Sequence, residues 1–138
     1  MMFTIEIDYS TGNSFGTYQE TSTVEFVWSK LEDAKLALEY IKQHHEFYTR
    51  YRAAGRYAGY HGSTDTAETI LQEAKGKPWY VESRFSTGFN EFSLKVPSDD
   101  AEHNQLSVFW HGYFETLHGA EIVKADGNNV NNDMSFRV

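Results

Sequence analysis

The spacing of the apolar residues changes twice along this chain of 138 residues, and that change most constrains its fold. The first 28 residues and the part after Pro78 alternate apolar with polar side chains, whereas the middle of the chain repeats at helical spacing. Alternation indicates strands with one buried face, and i, i+3, i+4 spacing indicates helices. Two successive helical segments that do not alternate with strands argue against a doubly wound parallel sheet.

The amino-terminal segment predicts an antiparallel hairpin. Residues 3–9 alternate in the period of a strand, and residues 10–14 are turn formers, among which Gly12 and Asn13 readily adopt positive φ. A second extended run from Thr17 to Trp28 is rich in threonine, valine and aromatic residues, which favour strands.

Two helices are predicted in mid-chain. Ser29-Lys30-Leu31-Glu32 matches a capping box, so a long helix begins here, and Gly55 is the candidate residue just past its end. A shorter helix follows Asp65 and stops at Gly76 and Pro78; its apolar face is Ala67, Ile70, Leu71 and Ala74.

The remaining alternating segments predict further strands, at Trp79–Phe85, Phe89–Val96, Gln105–Phe114, Ala120–Lys124 and Met134–Val138. We therefore predict one α+β domain over residues 1–138. It comprises a mostly antiparallel β-sheet, formed by the N-terminal hairpin and a C-terminal meander, with one long and one short helix packed on one face.

Composition excludes several classes of function. Subtracting 20 Asp+Glu from 12 Lys+Arg gives a net charge of −8, which argues against broad nucleic-acid binding. The chain has no cysteine, so it has no disulfide, thiolate metal site or cysteine nucleophile. Its amino end lacks the pattern of a signal peptide, and no apolar run approaches the roughly 20 residues of a membrane span. We therefore expect a cytoplasmic protein without membrane contact.

One segment departs from this acidic balance. Residues 47–64 hold three arginines and no carboxylate, which leaves 9 positive and 20 negative groups in the other 120 residues. Arginine forks suit phosphate, and tyrosine faces stack on bases or guanidinium groups. The candidate ligand- or partner-binding residues are Arg50, Tyr51, Arg52, Arg56, Tyr57, Tyr60 and His61. The structural alternative is that the cations complement a helix C-terminus and that the tyrosines pack.

No linear motif predicts catalysis, a cofactor or a metal. His44-His45-Glu46 lacks the second zinc-binding histidine four positions on. His111, Glu115 and His118 would share one side of a helix, but the alternation around them predicts a strand that separates them. Nucleophile-elbow, phosphate-loop and dinucleotide patterns are absent from the sequence. A serine, histidine and aspartate converging from distant positions is left open.

The stretch Phe109-Trp110-His111-Gly112-Tyr113-Phe114-Glu115-Thr116-Leu117 resembles small accessory proteins of tailed bacteriophages. The hairpin opening at residues 9–15 and Trp28 before a helix are similar in character, so the resemblance covers about a quarter of the chain. It implies a phage origin and action by binding to host enzymes or defence systems, and it transfers no site residue.

Three functional hypotheses follow. The first is a non-catalytic binding protein that engages a host protein in the host cytoplasm, in host takeover or against a defence system. The second is a binder of a phosphorylated small molecule or nucleotide signal through the arginine and tyrosine segment. The third is a metal-dependent enzyme using His111 and His118. Self-pairing of the sheet into a homodimer is left open.

Overall fold

The computed structural model describes residues 2–57, 67–82, 92–108, 116–125 and 134–138, with the backbone alone at 52, 53, 55–57, 92 and 108. It contains, in chain order, β1 (Phe3–Asn13), β2 (Gly16–Thr23), α1 (Leu31–Tyr57), α2 (Ala67–Lys75), β3 (Phe92–Lys95), β4 (Gln105–Val108), β5 (Thr116–Lys124) and β6 (Ser135–Arg137). No described helix has the length and apolar character needed to cross a membrane.

The strands form an antiparallel sheet in the order β2-β1-β5-β6 and a smaller antiparallel pair of β3 and β4. Together with the two helices, this confirms the predicted α+β class and its N-terminal hairpin. The strands after α2 divide between two sheets, an arrangement that alternation alone does not specify. β5 returns to the free side of β1, which places β1 in the interior of the sheet.

The alternation of β1 produces one apolar face of the sheet. Ile5 and Ile7 are fully buried, and Ile5 lies opposite Ile122 of β5. A bulge between Asp8 and Tyr9 shifts the register, so that Tyr9 pairs with Leu117 on the same face. Burying an isoleucine or leucine side chain contributes about 1.5–3 kcal/mol, so this face needs a cover.

Helix α1 supplies that cover. It begins at Leu31, within the predicted capping box, and its first turn carries Glu32 and Asp33, which complement the helix dipole. Its buried side chains toward the sheet include Ala34, Ala37, Leu38, Ile41 and Tyr48. Helix α2 packs along α1 through Ile70 and Ala74, and it ends at Lys75, one residue before Gly76.

Several local predictions differ from the structure. β1 continues through residues 10–13 of the predicted turn, β2 ends at Thr23, short of Trp28, and β5 begins at Thr116, ahead of the predicted Ala120.

α1 continues through Gly55 to Tyr57, because a glycine within a helix weakens it without ending it. Residues 79–82 do not form the predicted strand; residues 83–85, the rest of that prediction, lie outside the described part. The Trp79 ring is instead buried, and its carbonyl accepts a hydrogen bond from the Lys95 amide at 2.8 Å.

Candidate partner-binding groove

The segment after β2 runs along the beginning of β1. The Val24 amide donates to the Ile5 carbonyl at 2.9 Å, and Phe3 exchanges two backbone hydrogen bonds of 2.7 Å with Trp28. The buried Thr4 hydroxyl donates to the Phe26 carbonyl at 2.6 Å. These bonds hold residues 24–28 against β1, with a bend at Glu25.

Exposure alternates along this segment. Val24 and Trp28 are buried, whereas Glu25 and Val27 are exposed. The ring of Phe26 lies 4.8 Å from that of Trp28, at a tilt of 31°. This short segment consequently presents an apolar strip flanked by a carboxylate.

Trp28 joins this segment to the loop between β3 and β4. Its indole Nε1 donates to the Pro97 carbonyl at 2.7 Å, across 69 residues of sequence. Asp100 organises the loop: one carboxylate oxygen accepts from the Glu102 amide at 2.9 Å, and the other lies 2.7 Å from Nδ1 of His103. The side-chain hydrogen bond from His103, followed by the Glu102 amide, lowers the pKa of Asp100.

A groove of about 830 Å³ opens between residues 24–29, the start of α1 and the loop. Its apolar residues are Met2, Phe26, Val27 and Trp28, of which Met2 and Val27 are 45% and 48% exposed. Five carboxylates also line it, those of Glu25, Asp33, Asp99, Asp100 and Glu102. None of the described residues lining this groove is a lysine or an arginine. We call it the acidic groove.

The sequence-predicted arginine and tyrosine site lies at the opposite end of α1 from Asp33. Arg50 is half exposed and pairs with Glu73 of α2 at 3.2 Å. Tyr51 is buried, with its ring 5.9 Å from that of Phe47. Arg52, Arg56 and Tyr57 belong to the last turns of α1, where only the backbone is described, and Tyr60 and His61 lie outside the described residues. Their joint role as a site stays a prediction.

A small cleft of about 220 Å³ lies beside Arg50, between α1 and α2. Phe47 and Trp79 form its aromatic wall. Arg50 and Lys77 contribute two positive groups, and Glu46 and Glu73 contribute two negative groups. The balanced charge and the Arg50–Glu73 pair favour a structural role for this cleft over capture of a phosphate.

The face of the sheet away from α1 brings Ser10 next to His118 at 2.5 Å, a pairing that no sequence motif indicated. A serine nucleophile needs a base that is oriented by a third group. Within the described part of the chain, no residue hydrogen-bonds the other ring nitrogen of His118, so the orienting group is missing. The described residues also contain no cluster of three potential metal ligands. His111 and Glu115 lie outside them.

The same face carries two carboxylates directly opposite each other, Glu6 of β1 and Glu121 of β5. Burial raises the pKa of Glu6, and the neighbouring carboxylates of Glu121 and Asp8 raise it further. Because the pKa of Glu6 is higher in the folded state than in the unfolded state, the free energy of unfolding decreases as the pH rises through the folded-state pKa of Glu6. At pH 7 the opposed carboxylates therefore destabilise the sheet.

Replacing Glu6 with glutamine is expected to raise the free energy of unfolding at pH 7 by about 0.2–0.5 kcal/mol, the scale of cross-strand pair effects. The gain should shrink toward pH 4, where the wild-type carboxyl is protonated. Urea unfolding at both pH values measures it, with Glu102→Gln in the exposed loop as control. An equal gain at both pH values would contradict repulsion as the cause.

The chain matches no known protein family, no curated protein and no solved structure. The resemblance to phage accessory proteins therefore stays a prediction.

Sequence reasoning missed the acidic groove. The run Asp99-Asp100-Ala101-Glu102 is visible in the sequence, but Glu25 and Asp33 lie more than sixty positions away. The hydrogen bond from Trp28 to the Pro97 carbonyl brings the segment with Glu25 and Asp33 and the run at residues 99–102 to the same groove.

Proposed function

We propose that this chain is a non-catalytic protein-binding domain whose partner presents a basic segment with an apolar side chain to the acidic groove. The observation that carries the proposal is the composition of the groove, in which five carboxylates, and no described lysine or arginine, surround exposed apolar side chains. Soluble proteins seldom leave an apolar hollow open without a binding role.

The two parts of the groove contribute differently. Burial of apolar surface yields about 25 cal/mol per Å², so contact with Phe26, Val27 and Met2 supplies most of the affinity. Exposed ion pairs contribute only about 0–1 kcal/mol each. The carboxylates therefore act mainly by attracting a cationic partner and excluding an anionic one.

The groove is organised before a partner arrives. Trp28 is 3% exposed and hydrogen-bonded to Pro97, and Asp100 holds the loop through three backbone and side-chain partners. A preorganised surface loses less conformational entropy on binding than a flexible one. The resemblance in sequence adds the expectation that the partner is a host protein.

The experiment uses a short fluorescent peptide of arginine, leucine and glycine, and a matched peptide with glutamate in place of each arginine. We expect the full-length chain to bind the first peptide and not the second, as measured by fluorescence anisotropy. The double variant Glu25→Lys/Glu102→Lys should weaken binding about tenfold or more, which corresponds to at least 1.4 kcal/mol. Val27→Asp should weaken binding as well, because the substitution places a charge among the apolar residues of the groove.

The control is Glu82→Lys, matched to the single groove variant Glu25→Lys, because each changes the charge by two units and position 82 is exposed and does not line the groove. It is expected to change the affinity by less than about twofold, since screened surface charges act weakly at a distance. If Glu82→Lys and the groove variant weaken binding equally, the peptide is attracted by net charge alone and the proposal fails.

A further inference from the structure

Strand β2 forms one edge of the four-stranded sheet, and its side chains are almost all exposed. None of the described strands pairs with its outer side. The opposite edge, β6, has only three residues, and its Arg137 is paired with Asp8. The long edge of this sheet is therefore β2, over Gly16–Thr23.

The register shows which backbone groups of β2 point outward. Val24 donates to Ile5, so these two residues form a hydrogen-bonded pair. In an antiparallel pair, hydrogen-bonded and non-hydrogen-bonded positions alternate. Ser22, Glu20 and Tyr18 thus bond to β1, and Thr17, Gln19 and Thr21 direct their amides and carbonyls away from it.

This edge lacks the usual protection against pairing. Native edge strands carry lysine, proline, bulges or inward charges that discourage contact with another strand. Residues 9–24 include one charged side chain, Glu20, in a chain with 32 charged residues. Glu20 accepts a hydrogen bond from the Tyr9 hydroxyl at 2.8 Å. In a molecule of net charge −8, this weakly charged edge lets two copies approach with little repulsion.

We propose that β2 pairs antiparallel with β2 of a second copy, about a two-fold axis at Gln19, to form a continuous eight-stranded sheet. Thr17 then lies opposite Thr21 of the second copy. Tyr18, which is 58% exposed, lies opposite Glu20 of the second copy and on the same face. This surface is separate from the acidic groove, and the inference does not depend on the proposed function.

The side chains disfavour two other registers. An axis at Glu20 would place two carboxylates directly opposite each other, which is unfavourable. An axis at Thr21 would leave the exposed Tyr18 beyond the paired segment. With the axis at Gln19, Tyr18 meets a carboxylate that already accepts one phenolic hydrogen bond.

The test exploits the absence of cysteine from the chain. A cysteine at position 19 would lie on the axis, where hydrogen-bonded antiparallel partners have Cα atoms about 5.5 Å apart, within the range of a disulfide. Cysteines at position 17 or 21 would be separated from their counterparts by about 13 Å along the strands. We therefore expect Gln19→Cys to form a covalent dimer under mild oxidation. Thr17→Cys, Thr21→Cys and the helix control Gln72→Cys should remain monomeric.

Sedimentation of the wild-type chain should show a species of twice 15.9 kDa that grows with protein concentration and with added salt. Gln19→Lys should shift the equilibrium to the monomer, because it places two positive charges opposite each other at the axis. Gln72→Lys should leave the equilibrium unchanged. A chain that sediments at 15.9 kDa at every concentration overturns the proposal. Preferential crosslinking of Thr21→Cys overturns the assigned axis.

Discussion

Replacing Trp79 with alanine is expected to lower the free energy of unfolding by about 3–5 kcal/mol. The Trp79 ring is 2% exposed and lies 5.3 Å from the ring of His44 and 5.5 Å from that of Phe47. Its Nε1 donates to the side chain of Gln43 at 3.0 Å. Its backbone carbonyl binds Lys95 of β3, so this residue joins α1 to the small sheet.

A loss of this size is a large part of the 5–15 kcal/mol that stabilises a typical domain. Urea unfolding followed by circular dichroism measures it. Trp79→Phe keeps much of the ring packing but removes the donor to Gln43, so it should cost less, about 1–3 kcal/mol, and it remains measurable if the alanine variant does not fold.

The control is Leu36→Ala on the exposed side of α1, where the leucine is 43% exposed. It should change the free energy of unfolding by no more than about 0.5 kcal/mol. If Trp79→Phe destabilises the protein no more than Leu36→Ala does, Trp79 is not the joint between α1 and the small sheet.

Acidification from pH 7.5 to 4.5 is expected to remove about 3 kcal/mol of stability through His44 alone, since the free energy of unfolding falls by about 1.36 kcal/mol for each pH unit below 6.5. His44 is 1% exposed, and burial lowers its pKa from 6.5 to about 3, with a smaller contribution from His45. The folded state therefore keeps a neutral imidazole, whereas the unfolded state binds a proton below pH 6.5. Because the folded-state pKa is lowered, the stability is present above pH 6.5 and is lost as the pH falls.

Urea unfolding across this pH range tests the prediction. His44→Gln should reduce the pH dependence by about 1.4 kcal/mol per pH unit below pH 6, whatever its own stability at pH 7. His45 contributes in the same direction, since burial lowers its pKa while Glu46 opposes the shift. His45→Gln should therefore remove a smaller part.

His103→Gln is the matched control, because that side chain is 80% exposed. His103→Gln should leave the dependence of the free energy of unfolding on pH close to that of the wild type. If His44→Gln keeps the full slope, the pH dependence originates in the carboxylates and the buried histidine does not control it.

The local elements could be predicted from the sequence to different extents. The alternation of residues 3–9 and the helical spacing from Leu31 each depend only on residues close in sequence. β1 and α1 therefore both begin where the sequence predicts. Trp79 was placed in a strand because alternation continues after Pro78, whereas the structure has a turn there, closed by a hydrogen bond from the Tyr80 amide to the Lys77 carbonyl at 3.2 Å. The end of α1 was missed by three residues, because the helix continues through Gly55 to Tyr57.

The candidate site could not be predicted in the same way. The arginine and tyrosine segment stood out because charge composition is visible along the chain, yet Tyr51 is a buried packing residue and Arg50 pairs with Glu73 of α2. Charge composition does not reveal which partner a side chain will meet.

By itself, the sequence determined the α+β class, the hairpin, the two helices and the net negative charge, because these depend on residue spacing and composition. Only the tertiary structure decided the strand order β2-β1-β5-β6, the outward edge of β2 and the acidic groove. Each of these requires contacts between segments far apart in the chain, such as Trp28 with Pro97. Contacts of this kind form because apolar faces must be buried together, and no local pattern specifies which faces will meet.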